Sequence, residues 1–144
     1  MKISIISGGF DPVHKGHIRM FKAAKALADK TVCILNNNNW LKAKKDFVFM
    51  DEEERKEILE AIRYIDEVLI TSHKPNDENK SVCNELSLIK QKYPNHHLIF
   101  ANGGDRKADN IPEYQLCNKL NIEMVFNVGG EKAQSSSDLT KNRK

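Results

Sequence analysis

Short apolar runs alternate with longer amphipathic stretches along this chain. KISIIS at 2–7 is a branched apolar run closed by Gly8-Gly9, the pattern of a buried strand. Over 16–29, Ile18, Phe21, Ala24, Leu27 and Ala28 recur at helical spacing and predict a helix. TVCIL at 31–35 predicts a second strand, ended by Asn36 to Asn39. The polar stretch 37–50, with Lys42, Lys44 and Lys45, reads as a loop. DEEERKEILEAIRYI from Asp51 reads as a helix, its acidic start suiting the positive end of the helix dipole. Ile58, Leu59, Ile62 and Ile65 would form its buried stripe.

The same alternation continues to the end of the chain. EVLIT at 67–71 is a third strand and HKPNDEN at 73–79 is turn chemistry. A helix is expected near 79–92, with Val82, Leu86 and Ile89 on one face and Pro94 beyond its end. HLIFA at 97–101 is a fourth strand, followed by Asn102-Gly103-Gly104-Asp105. A short helix at 112–120 and a fifth strand, IEMVFN at 122–127, come next. Ser135-Ser136-Ser137-Asp138 then reads as the opening of a final short helix. Strands that are apolar on both faces and alternate with helices make an α/β, Rossmann-like fold. It would hold about five parallel strands with helices on both faces.

Length and composition narrow the picture. At 144 residues, one domain over 1–144 is expected. No apolar run approaches the length of a bilayer span, and MKISIISGGF lacks the cleavage site of a secretory signal. Cys33, Cys83 and Cys117 are odd in number and lack CxxC spacing, which suits core positions in a reducing cytoplasm. A net charge of +3 from 23 basic and 20 acidic residues gives no reason to expect a nucleic-acid partner.

In an open parallel sheet, ligands bind beyond the carboxyl ends of the strands, and every polar or glycine-rich loop here falls there. The first loop is Gly8-Gly9-Phe10-Asp11-Pro12-Val13-His14-Lys15-Gly16-His17. It matches neither GxGxxG nor the P-loop pattern. It does place two imidazoles three residues apart at a helix start, where backbone donors and the dipole favour an anion. Gly16 leaves room for a phosphate to approach the backbone.

GGFDPVHKGHI resembles the G-x-F-D-x-x-H-x-G-H signature of the HxGH nucleotidyltransferases, in the cytidylyltransferase-like superfamily. DEEERKEILEAIRYIDEV looks like the helix and strand after the lysine loop in glycerol-3-phosphate cytidylyltransferases. NGGD at 102–105 looks more like the corresponding loop in adenylyltransferase domains that make ADP-heptose, a cell-envelope precursor. Ser135-Ser136-Ser137 stands where the family carries its Ser/Thr-rich motif. The resemblance implies transfer of a nucleoside monophosphate from ATP or CTP to a phosphorylated small molecule, with pyrophosphate released. It slightly favours adenylyl transfer to a sugar phosphate; a polyol-phosphate cytidylyltransferase and a flavin adenylyltransferase are the alternatives. A silent nucleotide-binding module is the non-enzyme alternative.

The same resemblance implies residue roles. His14, His17 and Lys44 would be catalytic. Gly9, Phe10, His14, Gly16, His17, Ser135, Ser136 and Ser137 would bind the nucleotide. Lys44, Arg55 and Asp105 would meet the acceptor. Mg²⁺ is implied as the triphosphate's counterion rather than as a protein-bound metal, and a homodimer is common among such proteins. Plainer roles stand beside these: Lys44 as a solvated loop lysine, Arg55 as a helix-surface ion pair, Asp105 and Asp11 as turn residues, Ser135 as a helix cap. The family's Arg ahead of the Ser/Thr motif is absent here, where Gly129-Gly130-Glu131-Lys132 stands.

Overall fold

The computed structural model describes residues 1–103 and 111–129. Its centre is a five-stranded parallel sheet in the order β3-β2-β1-β4-β5. The strands are β1 (Lys2–Gly8), β2 (Lys30–Leu35), β3 (Glu67–Ile70), β4 (His97–Ala101) and β5 (Glu123–Val125). The helices are α1 (Lys15–Ala26), α2 (Asn38–Lys45), α3 (Glu52–Glu60), α4 (Cys83–Lys92) and α5 (Tyr114–Leu120). The expected α/β architecture is therefore the observed one, and its strands fall within the apolar runs, although β5 covers only Glu123–Val125 of the expected 122–127.

The two-residue period of a strand divides the core. Ile3, Ile5, Val32, Ile34, Leu98 and Phe100 pack with Val82, Leu86 and Ile89, and with Cys117 of α5, on one face. Ile6, Cys33 and Leu35 pack with Phe21 and Ala24 of α1 and Leu59 of α3 on the other. Both faces are thus covered, which is why the strands read as continuous apolar runs. Ser4, in the middle of β1, is buried, and its hydroxyl donates to the Ala24 carbonyl at 2.7 Å. That bond satisfies the hydroxyl and ties α1 to the sheet. The cysteines are free thiols. Burial drives the Cys33 thiol far up and raises Cys117 to about 12, so both behave as core residues.

Strand order reverses between β1 and β4, the point at which a doubly wound sheet is expected to open a crevice beyond its carboxyl ends. The Gly8–His17 loop leaves β1 at this point and Asn102-Gly103 leaves β4 beside it.

Three expectations need correcting. Residues 38–45 are not loop but helix α2. Asn37 caps it, its side chain accepting from the Trp40 amide at 2.9 Å, and Asp46 ends it in a left-handed conformation at φ 68°. An Asn run reads as a loop, yet tertiary partners hold Asn38 and Asn39 in the first turn. The Asn38 amide donates to Glu52 and its side chain to Asp51, while the Asn39 side chain donates to the His73 carbonyl. Helix α3 stops at Glu60, because Ala61 and Ile62 donate three residues back and tighten the turn. Ile58 is not in its stripe but 37% exposed, whereas Arg55 is fully buried. Finally, α4 begins at Cys83 rather than near residue 79; Asn79 instead turns the chain by accepting from Ser81.

Candidate active site at the reversal of strand order

The loop after β1 is built around one helix start. His14 is the N-cap of α1, with an extended backbone, and its Nδ1 accepts the Gly16 amide hydrogen at 3.1 Å. His17, three residues on, returns the favour: its Nδ1 accepts from the His14 amide at 3.2 Å. This is a capping box in which two imidazoles replace the usual Ser or Thr and Glu or Gln. The rings lie face to face, centroids 3.8 Å apart and 22° from parallel.

The capping box fixes the chemistry of both rings. Each Nδ1 accepts a backbone hydrogen bond, so each neutral imidazole carries its hydrogen on Nε2, as assigned from the hydrogen-bond network. The fold therefore turns both histidines into Nε2–H donors held at the positive end of α1. An anion placed there would meet two neutral donors and a helix N-terminus together.

Phe10 supports this pair from below. Its backbone is left-handed at φ 48° and its ring is buried. The ring stands edge-on to His17 at 4.9 Å and to Phe21 at 5.2 Å. A Cβ on Gly8 would fall 2.8 Å from the Phe10 ring, so that position must be glycine for the ring to fold under the loop. The side chain of Phe10 thus belongs to the core, and only its backbone is left to face a nucleotide.

Asp11 and Arg55 fasten the loop to its neighbours. The two Asp11 carboxylate oxygens accept from the Phe49 and Met50 amides, each at 2.6 Å. Arg55 donates from Nη1 to the carbonyls of Gly9 and Asn36, both at 2.7 Å. It donates from Nε to the Met50 carbonyl and from Nη2 to the Asn38 side chain, both at 2.9 Å. Four of its five N–H groups are thereby engaged. Burial pulls its pKa below the ordinary value, opposed by the charges of Asp11, Glu52 and Asp51. This corrects the plainer reading of Arg55 as a helix-surface ion pair. The side chain is fully buried and joins the first loop, the end of β2, α2 and the approach to α3.

Lys44 lies in the last turn of α2 with Lys42 and Lys45, where the helix dipole favours cations. Its Nζ sits 4.8 Å from the centroid of the Trp40 ring, one turn earlier on the same helix. Trp40 in turn borders the first loop: a Cβ on Gly9 would lie 3.4 Å from the indole and 2.9 Å from Leu41. The structure thus brings Gly9, Phe10, His14, Gly16 and His17 into one loop and links Lys44 to that loop through Trp40. Asp105, Ser135, Ser136 and Ser137 lie outside the described residues, as does the expected final helix.

The approach to the serine motif is anchored on the histidine helix. The Val128 amide donates to the Asn102 carbonyl at 2.9 Å, and the Asn102 amide donates to the Val125 carbonyl at 2.7 Å. Gly129 then sits at φ 86°, where a Cβ would fall 2.9 Å from the Met20 Cα of α1. Gly103 also lies against Met20, but its close contact is the flexible sulfur. Gly129→Ala is accordingly expected to lower stability by about 2 kcal/mol or more, through left-handed strain and a backbone clash. Gly103→Ala should cost clearly less. Urea unfolding of the two variants checks that order.

His73, in a segment whose composition reads as a turn, is buried just beyond β3. Its ring pairs with the Thr71 hydroxyl at 2.8 Å and the Ser81 carbonyl at 2.9 Å. A lone His in a PNDEN-rich segment carries no signal for this; the two arms of the loop must meet before it acquires partners.

Among the described residues no group of three or more His, Cys, Asp or Glu side chains could hold a metal ion. Two imidazole donors are a poor match for a hard cation such as Mg²⁺, and the Asp11 carboxylate is already committed to two amides. Nor is any helix among them long and apolar enough to cross a membrane.

Comparison with known proteins agrees with this geometry. An FAD synthase of Pyrococcus horikoshii is 36% identical over 128 residues, covering 86% of this chain and 79% of that protein. A glycerol-3-phosphate cytidylyltransferase of Bacillus subtilis is 41% identical over 69 residues, 48% of this chain and 54% of that one. A lipopolysaccharide core biosynthesis protein of Thermoplasma volcanium superposes with a TM-score of 0.65 at 21% identity, covering 88% of this chain and 95% of that chain, a likeness of fold. The family described as Cytidylyltransferase-like matches residues 5–139. The chain belongs to the cytidylyltransferase-like family and is a nucleotidyltransferase.

Proposed function

We propose that the protein transfers a nucleoside monophosphate from a Mg²⁺-bound nucleoside triphosphate to the phosphate of a small acceptor, releasing pyrophosphate. The observation that carries this reading is the capping box of His14 and His17. Two Nε2–H donors at a helix N-terminus form a fixed electrostatic cradle for a polyphosphate. An acceptor phosphate oxygen attacks the α-phosphorus, and the bond to the bridging oxygen breaks as pyrophosphate leaves. Phosphoryl-type transfer of this kind depends on in-line positioning and charge neutralisation more than on covalent help from the protein.

Within this reading, His14 and His17 donate to the triphosphate and to the charge that grows during transfer. Gly9, Phe10 and Gly16 give backbone approach to the nucleotide. Lys44 reaches the phosphates, and Ser135, Ser136 and Ser137 hold their far end. Asp105 meets the acceptor. Mg²⁺ is carried on the triphosphate's own oxygens as part of the substrate.

Adenylyl transfer is the favoured form. Alignments over 86% and 84% of this chain are to FAD synthases, although two other FAD synthases and the glycerol-3-phosphate cytidylyltransferases align along about half of it and a probable ethanolamine-phosphate cytidylyltransferase along 76%. The same alignment favours flavin mononucleotide as acceptor. The NGGD sequence at 102–105 favours a sugar phosphate and makes it the second reading.

A pyrophosphate-release screen crossing ATP, CTP, GTP and UTP with flavin mononucleotide, heptose and other sugar phosphates, and glycerol 3-phosphate tests both. Release with ATP and one of the first two acceptor classes is expected. Tight binding of ATP with no release from any pair would favour a silent binding module.

A further inference from the structure

We propose that Trp40 is a positioning residue for Lys44, holding its ammonium beside the first loop; this rests on the reading that Lys44 serves the triphosphate. Trp40 is the one tryptophan of the chain. Three contacts define it. Its Nε1–H donates to the Lys80 carbonyl at 3.0 Å, which fixes the ring plane from the β3–α4 loop. Its ring borders Gly9 at the site, where a Cβ would come to 3.4 Å from the indole and to 2.9 Å from Leu41. Its face carries the Lys44 Nζ at 4.8 Å.

A lysine ammonium ends a chain of four rotatable bonds and is poorly pre-organised by itself. An aromatic face one turn back restricts it through the cation–π attraction, and indole is the best such face. A phenyl ring would keep the attraction but lose the bond to Lys80. An aliphatic side chain would lose both.

The β3–α4 loop is itself stitched to α2. The Asn37 amide donates to the Thr71 hydroxyl at 3.0 Å, and the Asn37 and Asn39 side chains donate to the His73 carbonyl, both at 2.9 Å. The His73 ring pairs with the Ser81 carbonyl at 2.9 Å, so the Trp40 bond to Lys80 closes against a loop arm that is itself tied down. The result is a chain of contacts from that loop, through the indole, to both Gly9 and Lys44.

The test is a double-substitution cycle on equilibrium binding of Mg·ATP, read by calorimetry without acceptor or turnover. The proteins compared are the unsubstituted chain, Trp40→Leu, Lys44→Met and the double variant, with Trp40→Phe as the conservative control. Trp40→Leu is expected to weaken binding by roughly threefold to fivefold, the scale of a partly exposed cation–π contact. In the Lys44→Met background the same change should have almost no effect, and Trp40→Phe should recover most of the lost affinity. Equal weakening in both backgrounds overturns the positioning role and leaves the proposed function standing. Absence of Mg·ATP and Mg·CTP binding by the unsubstituted protein overturns both. If Trp40→Leu fails to fold, Trp40→Phe in the two backgrounds decides, since its smaller loss should likewise vanish without Lys44.

Discussion

His17→Ala is expected to lower turnover by at least about a hundredfold, the scale of losing one preorganised transition-state donor. The alanine variant removes two things, however: the Nε2–H donor and the Nδ1 acceptor that closes the capping box on the His14 amide. His17→Gln separates them. Glutamine at the third helical position is a natural capping-box residue whose carbonyl can accept from the His14 amide. It cannot place an imidazole Nε2–H where a phosphate oxygen would meet it. The glutamine variant should therefore unfold near the parent temperature and still lose most of the turnover measured by pyrophosphate release. Parent-like turnover in His17→Gln would end the assigned role and leave His17 as a cap. Near-native stability in the alanine variant as well would show that the cap contributes little, since a lost cap costs about 1 kcal/mol.

The second large effect concerns stability. Arg55→Leu should destabilise the fold by about 3–5 kcal/mol, the cost of breaking a buried charged network by removing one partner. It strands four acceptors: the carbonyls of Gly9, Asn36 and Met50 and the Asn38 side chain. It also leaves the Asp11 carboxylate without its cationic neighbour. At this chain length such a loss lowers the melting temperature by roughly 10 °C, readable by calorimetry or circular dichroism. Arg55→Lys keeps the charge but cannot reproduce a planar fork that reaches carbonyls on separate segments, so it too should melt early. An exposed acceptor-binding arginine would behave oppositely. Its loss would spare the melting temperature and raise KM for the acceptor alone. The two outcomes are distinct enough that one thermal scan and one acceptor titration decide between them.

The burial of Arg55 is not written in its local sequence. On a helix whose neighbours are Asp51, Glu52, Glu53 and Glu54, an arginine reads as a surface ion pair. Nothing local says that its stem points inward, because arginine carries no apolar signature that a periodicity count could register. Its burial follows from three other segments arriving with open carbonyls. Ile58 differs for the complementary reason: it has the right spacing for the stripe, but α3 ends two residues beyond it and the position is left exposed. The Asn run misled in a third way. Asparagine is a poor helix former and an excellent cap, and which property prevails at 37–39 depends on Glu52, Asp51 and the His73 carbonyl.

Local pattern was enough for the class of fold, the five strands and the first loop. Those features depend on interactions within a few residues. Apolar runs must be covered on both faces, glycines mark sharp exits, and His14, Gly16 and His17 form their capping box within a single turn. The family signature was legible for the same reason, since its chemistry is written in one contiguous segment. Tertiary contacts were needed to put the lysines on a helix and to set Trp40 between Lys44 and Gly9. They alone turned Arg55 inward and set Gly129 against Met20. Those outcomes need groups brought together from far along the chain: 31 positions separate Gly9 from Trp40, 46 separate Gly9 from Arg55 and 109 separate Met20 from Gly129. A donor or an aromatic face has no preferred partner until the sheet has placed the loops on one rim, so local pattern carries no record of the choice.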